Sequence, residues 1–319
     1  MQPLVSVVVP CFNRSLTVAI CVRSVLDQGY GPVEILVVDD ASTDGSAEVA
    51  AGAGATVLRL PVNGGPGGAR NAGAARATGD ILFFLDADVA LAPDSIAAAV
   101  KELQADPALG AICGVLGPRS LTPHSLVAEY RALQMYHWWL AQEGQINDLH
   151  TAICAMPARV FRELGPFTDS RHTEAPEYAR RITQRYELRS TPAITGVHDH
   201  DRTLRVLLPK VFLRTRETAL ELRRGQVPSG SADRVMASVL LLAAASTAIP
   251  LLLVTGPAGL AVTAGLIAVA VVCDGRTYRR VFADRGVRFG LGFTGLHLLY
   301  LLTAAAGAAA GTLARLARR

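Results

Sequence analysis

Two carboxylates separated by one residue, Asp86 and Asp88, directly follow an apolar run at residues 81–85. Their oxygen atoms are hard ligands that suit Mg²⁺ or Mn²⁺, and such a pair can share a divalent cation with a diphosphate. The alternative is a structural turn in which an aspartate caps a helix that starts near Pro93. The spacing alone leaves both interpretations open.

A second carboxylate pair, Asp39 and Asp40, follows the apolar residues 34–38. These side chains could accept hydrogen bonds from a base N–H or from ribose hydroxyls. A turn before Ser42 would explain one of them as structural, but it would not call for both. Together with the first pair they favour a nucleotide site that contains a metal ion.

Two further polar clusters end strand-like runs. Pro10 and Asn13 follow residues 5–9, and each is individually a common loop residue. His198 follows residues 193–197 and is a candidate third metal ligand, although a lone histidine is more often structural. In an open α/β sheet, ligands bind beyond the carboxyl ends of the strands, so these clusters are expected to converge.

The glycine-rich residues 64–68 precede Arg70 at the start of a predicted helix. Free backbone N–H groups and the helix dipole would favour an anion at such a helix start. The spacing matches neither the dinucleotide-binding fingerprint nor a Walker loop. A plain surface loop is the alternative.

Strands alternate with predicted helices over residues 16–26, 69–77 and 93–104, a pattern that indicates a parallel sheet covered by helices on both faces. We therefore expect a doubly wound α/β fold. Weaker periodicity over residues 110–200 suggests a small mixed subdomain with a helix at 177–185.

The 319-residue chain has a mean hydropathy of +0.31 and a net charge of only +4. Its arginine blocks flank hydrophobic runs and lack interleaved aromatics, which indicates a membrane surface rather than a nucleic-acid partner. Five scattered cysteines fit a reducing compartment. No signal-peptide pattern precedes the first strand, so residues 1–200 are expected in the cytoplasm.

Hydrophobic segments dominate the second part of the sequence. Residues 235–254 carry no charge and are long enough to span a bilayer, and shorter or glycine-rich apolar runs follow at 258–273 and 289–313. The first two are expected to form a hairpin whose arginine-rich loop, 276–288, faces the cytoplasm. A third crossing would place Arg315 and the terminal arginines outside, against the same rule.

We accordingly expect three regions: an α/β domain at 1–200, a basic juxtamembrane segment at 201–233 and about three transmembrane helices at 234–319. Within the second region, leucines recur at helical spacing over residues 204–215 beside basic residues, which is typical of a helix in the membrane interface. An ordinary packed helix is the alternative, and Pro209 should kink or split it. The protein would be a multi-pass cytoplasmic-membrane protein, and its transmembrane helices could support a homo-oligomer.

Residues 4–200 resemble family 2 glycosyltransferases, whose nucleotide-sugar-binding fold is called GT-A. Four motifs carry the resemblance: VVVPCFN at 7–13, VVDDASTD at 37–44, GARNAG at 68–73 and GDILFFLDAD at 79–88. The resemblance implies that the nucleoside is held by Pro10, Asn13, Asp39 and Asp40. It also implies that Asp86 and Asp88 hold ribose and metal, and that His198 completes the metal site.

One position departs from the family pattern. Ala175 stands where the aspartate that acts as general base is expected, so Glu174 or Glu177 substitutes, or the acceptor needs no base. An acceptor phosphate is already ionised at neutral pH, whereas a sugar hydroxyl must lose a proton. We favour Glu174 narrowly, because Glu177 is better explained by the helix dipole. The processive-synthase signature is absent, which favours transfer of a single sugar.

The resemblance implies a metal-dependent, inverting glycosyltransferase that moves a sugar from a nucleotide diphosphate to a lipid-linked glycan or polyprenyl phosphate at the cytoplasmic membrane face. Arg70, or an arginine of the second subdomain, would assist the metal in neutralising the leaving diphosphate. The alternative is a non-catalytic nucleotide-sugar-binding scaffold of a polysaccharide assembly complex, which Ala175 keeps open. A sugar-nucleotide pyrophosphorylase is disfavoured because its phosphate loop is missing.

Overall fold

The computed structural model describes residues 2–122, 125–168, 174–221 and 257–317. The chain divides into two compact units. Unit 1 consists of Met1–Pro123 and Met135–His200, and unit 2 consists of His124–Gln134 and Asp201–Arg319.

Unit 1 is built on one nine-stranded sheet with the order β3-β2-β1-β4-β8-β6-β9-β5, in which β7 also pairs with β9. The strands are β1 (Val5–Cys11), β2 (Val33–Asp39), β3 (Thr56–Arg59), β4 (Ile81–Leu85), β5 (Val89–Leu91), β6 (Leu109–Ser120), β7 (Gly144–Gln145), β8 (Ile153–Pro157) and β9 (Glu187–His198). The expected α/β architecture is confirmed.

The sheet is mixed rather than wholly parallel. The first four strands run parallel to one another, but β8 pairs antiparallel with both β4 and β6. The strands of the small mixed subdomain expected at residues 110–200, β6, β8 and β9, continue the same sheet.

In the described residues up to 200, seven helices begin: α1 (Val18–Leu26), α2 (Ser46–Gly52), α3 (Gly65–Arg76), α4 (Ser95–Ala105), α5 (Leu126–Leu140), α6 (Ala158–Leu164) and α7 (Glu174–Thr183). Alternate residues of a strand point to opposite faces of a sheet. Val7 and Val9 accordingly enter a core formed with α1 and α4, whereas Val8 enters a second core that contains residues of α3 and α7. Helices thus cover both faces, as predicted.

Unit 2 contains the first part of α5 together with α8 (Leu204–Glu221), α9 (Pro257–Cys273) and α10 (Gly275–Ala317). Helix α8 contains Pro209 in its interior and is not split there. Leu207 and Val211 are buried, and Arg205 and Arg214 are exposed.

The arginine-rich segment 276–288, expected as a loop, belongs to α10. That helix is interrupted at Gly286, where φ is 77° and ψ is 173°. We call residues 275–285 the first arm of α10 and residues 287–317 the second arm.

Among the described residues, one helix, α10, is long and apolar enough to cross a membrane. Helix α9 has 17 residues and is shorter than that. The apolar run at 235–254 lies outside the described residues. A multi-pass arrangement is therefore not supported.

Candidate active site

Strands β1, β2 and β4 bring three of the predicted clusters to one edge of the sheet. In the parallel register Cys11 lies opposite Asp39, and Val8 lies opposite Phe84, two residues before Asp86. Asp40 continues this arrangement, because its backbone N–H donates to the carbonyl of Cys11 at 2.8 Å. The carboxylates that follow β2 and β4 thus lie beside the segment that follows β1.

Asp40 caps helix α3. Its carboxylate oxygens accept hydrogen bonds from the backbone N–H groups of Gly64 at 2.7 Å and Gly65 at 2.9 Å, and the residue is 3 % exposed. The helix consequently starts four residues before the predicted position. At the anion site expected at residues 64–68, two of the backbone N–H groups already donate to Asp40. These two groups are therefore not available to an anion.

Asp39 and Asn13 organise the loops beyond β2 and β1. The Asp39 carboxylate accepts a 3.4 Å bond from the N–H of Ser42, which is the turn considered from the sequence. Asn13 Oδ1 accepts from the N–H of Thr43 at 2.9 Å, and its own N–H donates to Ser42 Oγ at 3.0 Å. Asn13 and Ala41 both adopt positive φ, 52° and 60°, so these two loops are held in an unusual conformation.

Asp88 and His198 face each other because β5 pairs with β9 directly beside them. Val89 lies opposite His198 in that pairing, and His198 Nε2 is 3.4 Å from Asp88 Oδ1. The second oxygen, Oδ2, is 3.1 Å from the Nε of Arg14. Burial raises the pKa of the Asp88 carboxyl above its ordinary value, and His198 acts in the opposite direction.

These two side chains fit a divalent cation. A carboxylate oxygen and an imidazole nitrogen are both suitable donors, and His198 Nδ1 is buried without a hydrogen-bond partner among the described residues. No group of three or more His, Cys, Asp and Glu side chains in the described ranges is arranged to hold a metal. The predicted ligand Asp86 is instead directed to Arg70.

Arg70 lies between two carboxylates from different elements. Its Nη2 is 2.8 Å from Asp86 Oδ1 and its Nη1 is 3.7 Å from Glu174 Oε1, while the side chain is 3 % exposed. The guanidinium lies 5.9 Å from the ring centroid of Phe167. Its Nε and Nη1 make no hydrogen bond within the described part of the chain, so the group retains donors for an anionic ligand.

Gly67 explains how Glu174 comes so close to α3. A Cβ at this position would lie 3.6 Å from Glu174 Cγ and 3.0 Å from the carbonyl of Thr168. A side chain there would press on the carbonyl of Thr168, and its Cβ would be in ordinary van der Waals contact with Glu174. Gly67 thus allows α3 to pack closely against the segment that contains Thr168 and against Glu174.

Glu177 is not part of this cluster. Its Oε2 accepts bonds from Arg181 at 2.8 and 3.1 Å, and its Oε1 lies 3.6 Å from Arg180. Of the two candidate bases, Glu174 alone is shown next to a predicted donor-site residue. Pro10, the remaining predicted residue, lies within β1 opposite Val38.

Two contacts were missed by the sequence reasoning. Arg14 directly follows the first motif, but its pairing with Asp88 had no local signal, because Asp88 follows a different strand. The second is the contact between the rings of His198 and His200, whose centroids are 4.5 Å apart at an interplanar angle of 39°; it could be predicted only once β9 is known to end at His198.

Comparisons with known proteins identify the family of this chain. Residues 6–165 match the model of the family described as "Glycosyl transferase family 2". An N-acetylglucosaminyltransferase of Rhizobium sp. is 32 % identical over 173 residues, which cover 51 % of this chain and 38 % of that protein. A second one, from Mesorhizobium japonicum, is 29 % identical over 224 residues, or 67 % and 49 % of the two chains. The chain thus spans half or less of the length of these relatives.

The fold is shared with a solved structure, the mannosyltransferase PcManGT from Pyrobaculum calidifontis in complex with GDP-Man and Mn²⁺. The TM-score is 0.60 at 22 % identity, and the match covers 100 % of this chain and 88 % of that one. Glucosyl-3-phosphoglycerate synthase from Mycobacterium tuberculosis matches with a TM-score of 0.51 at 21 % identity over 67 % of this chain and 78 % of that one. The family match spans half of the chain and confirms the resemblance carried by the motifs, so this chain belongs to glycosyltransferase family 2.

Proposed function

We propose that the chain is a divalent-metal-dependent, inverting glycosyltransferase. It would transfer a sugar from a nucleotide diphosphate to a lipid-linked glycan or a polyprenyl phosphate at the cytoplasmic face of a membrane. The observation that carries the proposal is the convergence of Asp86, Asp88, His198, Arg70 and Glu174 at one edge of the sheet.

On the donor side, Asp88 and His198 would hold Mg²⁺ or Mn²⁺. Such an ion typically binds through one or two protein ligands together with substrate phosphates, and it stabilises charge on a departing diphosphate. The two free donors of Arg70 would bind an oxygen of the same diphosphate. Asp39 and Asn13 would contact the nucleoside from the loops that they organise.

On the acceptor side, Glu174 would take the proton of a sugar hydroxyl. Support comes from its place in the Arg70 cluster and from the engagement of Glu177 by Arg181. The arginine would act as a positioning residue, because the same guanidinium contacts Asp86 of the donor site. A phosphate acceptor would not require this proton transfer.

The test is a donor screen followed by a rate measurement. Purified full-length chain would be screened by thermal shift against nucleotide sugars with Mn²⁺, because a ligand stabilises the folded state in proportion to its occupancy. Donor hydrolysis would then be measured for wild type, Asp88→Asn and the matched surface control Asp27→Asn. We expect loss on the order of a hundredfold in Asp88→Asn alone. Unchanged hydrolysis in Asp88→Asn would contradict the metal assignment.

The second candidate is a non-catalytic scaffold that binds a nucleotide sugar in a polysaccharide assembly complex. Ala175, in the first turn of α7 where an acidic residue is expected, is the observation that favours it. Calorimetry would distinguish the two functions. Tight donor binding without sugar transfer to any lipid extract would favour the scaffold.

A further inference from the structure

The second arm of α10 exposes an apolar stripe. Its exposed large hydrophobic residues are Val287, Leu291, Leu299, Leu313 and Leu316. At about 100° per residue, these positions fall within an arc of roughly 120° on the helix. We call this stripe the leucine face.

The opposite side of the same arm is packed against α5. The ring of Tyr130 lies 5.0 Å from that of Phe293, and its hydroxyl is 3.1 Å from His297 Nδ1. His297 is fully buried, and its Nε2 lies 3.0 Å from Asp274 Oδ2. This side is therefore closed by specific polar and aromatic contacts.

Helix α8 closes the same side further along the arm. A Cβ at Gly307 would lie 2.4 Å from the carbonyl oxygen of Phe212, and one at Gly311 would lie 2.2 Å from that of Arg216. The backbones of α8 and α10 thus approach closely. Contacts with α5 and α8 together cover the arm from about residue 290 to residue 311.

Both covering helices carry charges. Glu129 and Arg131 of α5 lie beside this arm, since Glu129 pairs with Arg285 and Arg131 lies 5.0 Å from the ring centroid of Tyr300. On α8, Arg214 is exposed between the two glycine contacts. Charged side chains are costly in the hydrocarbon core of a bilayer. A crossing α10 would carry these helices and their charges into it.

Exposed arginines lie beside the leucine face. Arg276, Arg279 and Arg280 are exposed on the first arm, and Arg285 lies at its end. Arg288 falls within the arc of the leucine face itself, where a long side chain can bring its guanidinium to the lipid headgroups. Apolar residues next to arginines are typical of helices that lie on anionic membranes.

We propose that the second arm of α10 lies in the plane of an anionic membrane and does not cross it. The leucine face enters the boundary between headgroups and acyl chains, and the arginines contact the acidic headgroups. Arg315 and Arg279 then stay on one side of the bilayer, which removes the conflict with the positive-inside rule. The inference deepens the membrane location in the proposed function and is independent of catalysis.

Membrane depth at three positions tests the proposal. The labelled protein would be the full-length chain with Cys273→Ser, because the four other cysteines are buried. Each sample would carry one spin label, at Leu291→Cys, Leu299→Cys or Leu313→Cys. Leu291 and Leu313 are about 33 Å apart along a helix, close to the roughly 30 Å of a hydrocarbon core. Labelled protein would be reconstituted into phosphatidylcholine vesicles with and without phosphatidylglycerol, with the exposed Asp27→Cys as the aqueous control.

An in-plane helix places all three labels at the same shallow depth, about 5–10 Å below the headgroups. A label near the bilayer midplane, with others shallow, would show a crossing helix and overturn the proposal. Labels shielded from both oxygen and a water-soluble relaxant would show a second protein chain on the leucine face, which also overturns it. Depth is read without donor or acceptor, so an inactive enzyme would not affect the result.

A triple variant tests the contact between the arginines and the lipid headgroups. With the arginines intact, a label at Leu291→Cys should lie deeper in vesicles that contain phosphatidylglycerol than in those that lack it. In Arg276→Gln/Arg279→Gln/Arg280→Gln, this difference in depth should disappear. Equal depth in both lipid mixtures before substitution would contradict the role of the arginines.

Discussion

At the scale of residues, Arg70 joins two carboxylates that arise far apart in the sequence. Asp86 follows β4 and Glu174 begins α7, and both approach one guanidinium that is almost wholly buried. A buried cation between two anions holds both of them in place, because removing the guanidinium would leave two carboxylates without a counter-charge. The geometry of the candidate base is therefore linked to that of the donor site.

The two glutamates of α7 should respond differently to neutralisation. Glu174→Gln should lower transfer to a sugar hydroxyl on the order of a hundredfold, because a positioned base is lost. Glu177→Gln should retain near wild-type turnover, since its carboxylate is engaged by Arg181. Steady-state rates with a saturating donor decide this. Wild-type turnover in both variants would point to a phosphate acceptor.

Arg14 should compete with a metal ion for Asp88. Its Nε lies 3.1 Å from the carboxylate and its side chain is half-exposed. Arg14→Gln should therefore bind Mn²⁺ alone roughly two- to fivefold more tightly, the range expected for an exposed ion pair. The free Mn²⁺ signal in electron paramagnetic resonance measures this, with the exposed Arg23→Gln as control. Equal affinities in wild type and Arg14→Gln would contradict the prediction.

At the scale of elements, the apolar runs before the polar clusters allowed β1, β2 and β4 to be predicted, and with them the edge of the sheet. The direction of β8 could not be predicted, because strand direction depends on partners distant in the sequence. The cap that Asp40 provides for α3 joins residues 24 positions apart and has no local signal. Arg14 was overlooked for the same reason: its partner follows a different strand.

Helix α5 presents Trp139 to His150, with parallel rings 4.3 Å apart. Burial lowers the pKa of His150 from 6.5 to about 4. The unfolded chain therefore binds a proton at His150 more readily than the folded chain does. The contribution of the neutral imidazole to the free energy of unfolding is complete above pH 6.5 and is lost as the pH falls toward 4. Between pH 7 and 4.5 we expect a loss of roughly 2–3 kcal/mol. His150→Phe keeps a stacked ring but has no group that titrates. In thermal unfolding it should therefore lose less stability between pH 7 and 4.5 than the wild type does.

Two glycines of α10 form a matched pair. Gly307→Ala should destabilise unit 2 by about 1–3 kcal/mol, because its Cβ would overlap the backbone of α8. Gly295→Ala has open space around the new methyl group and should stabilise the helix by up to about 1 kcal/mol. Thermal unfolding in one detergent compares them. Equal melting temperatures would mean that α8 and α10 are not in close contact.

At the scale of the whole molecule, the excess charge is concentrated in one segment. Residues 275–288 carry five arginines against one aspartate, an excess equal to the net charge of +4 for the entire chain. The remainder of the protein is balanced on average. Membrane attraction should therefore be local and sensitive to salt. The family match at residues 6–165 ends well before this segment, so the proposed membrane contact lies outside the matched range.

The positive φ values of Asn13 and Ala41 have a consequence for ligand recognition. Left-handed backbone is unfavourable for alanine, so the loops after β1 and β2 persist in this shape only because Thr43, Ser42 and the sheet fix them. A loop fixed in advance loses little conformational entropy when a ligand arrives. If these loops form the proposed nucleoside pocket, their conformational entropy is lost during folding and not on binding, so the free energy of the contacts goes into affinity.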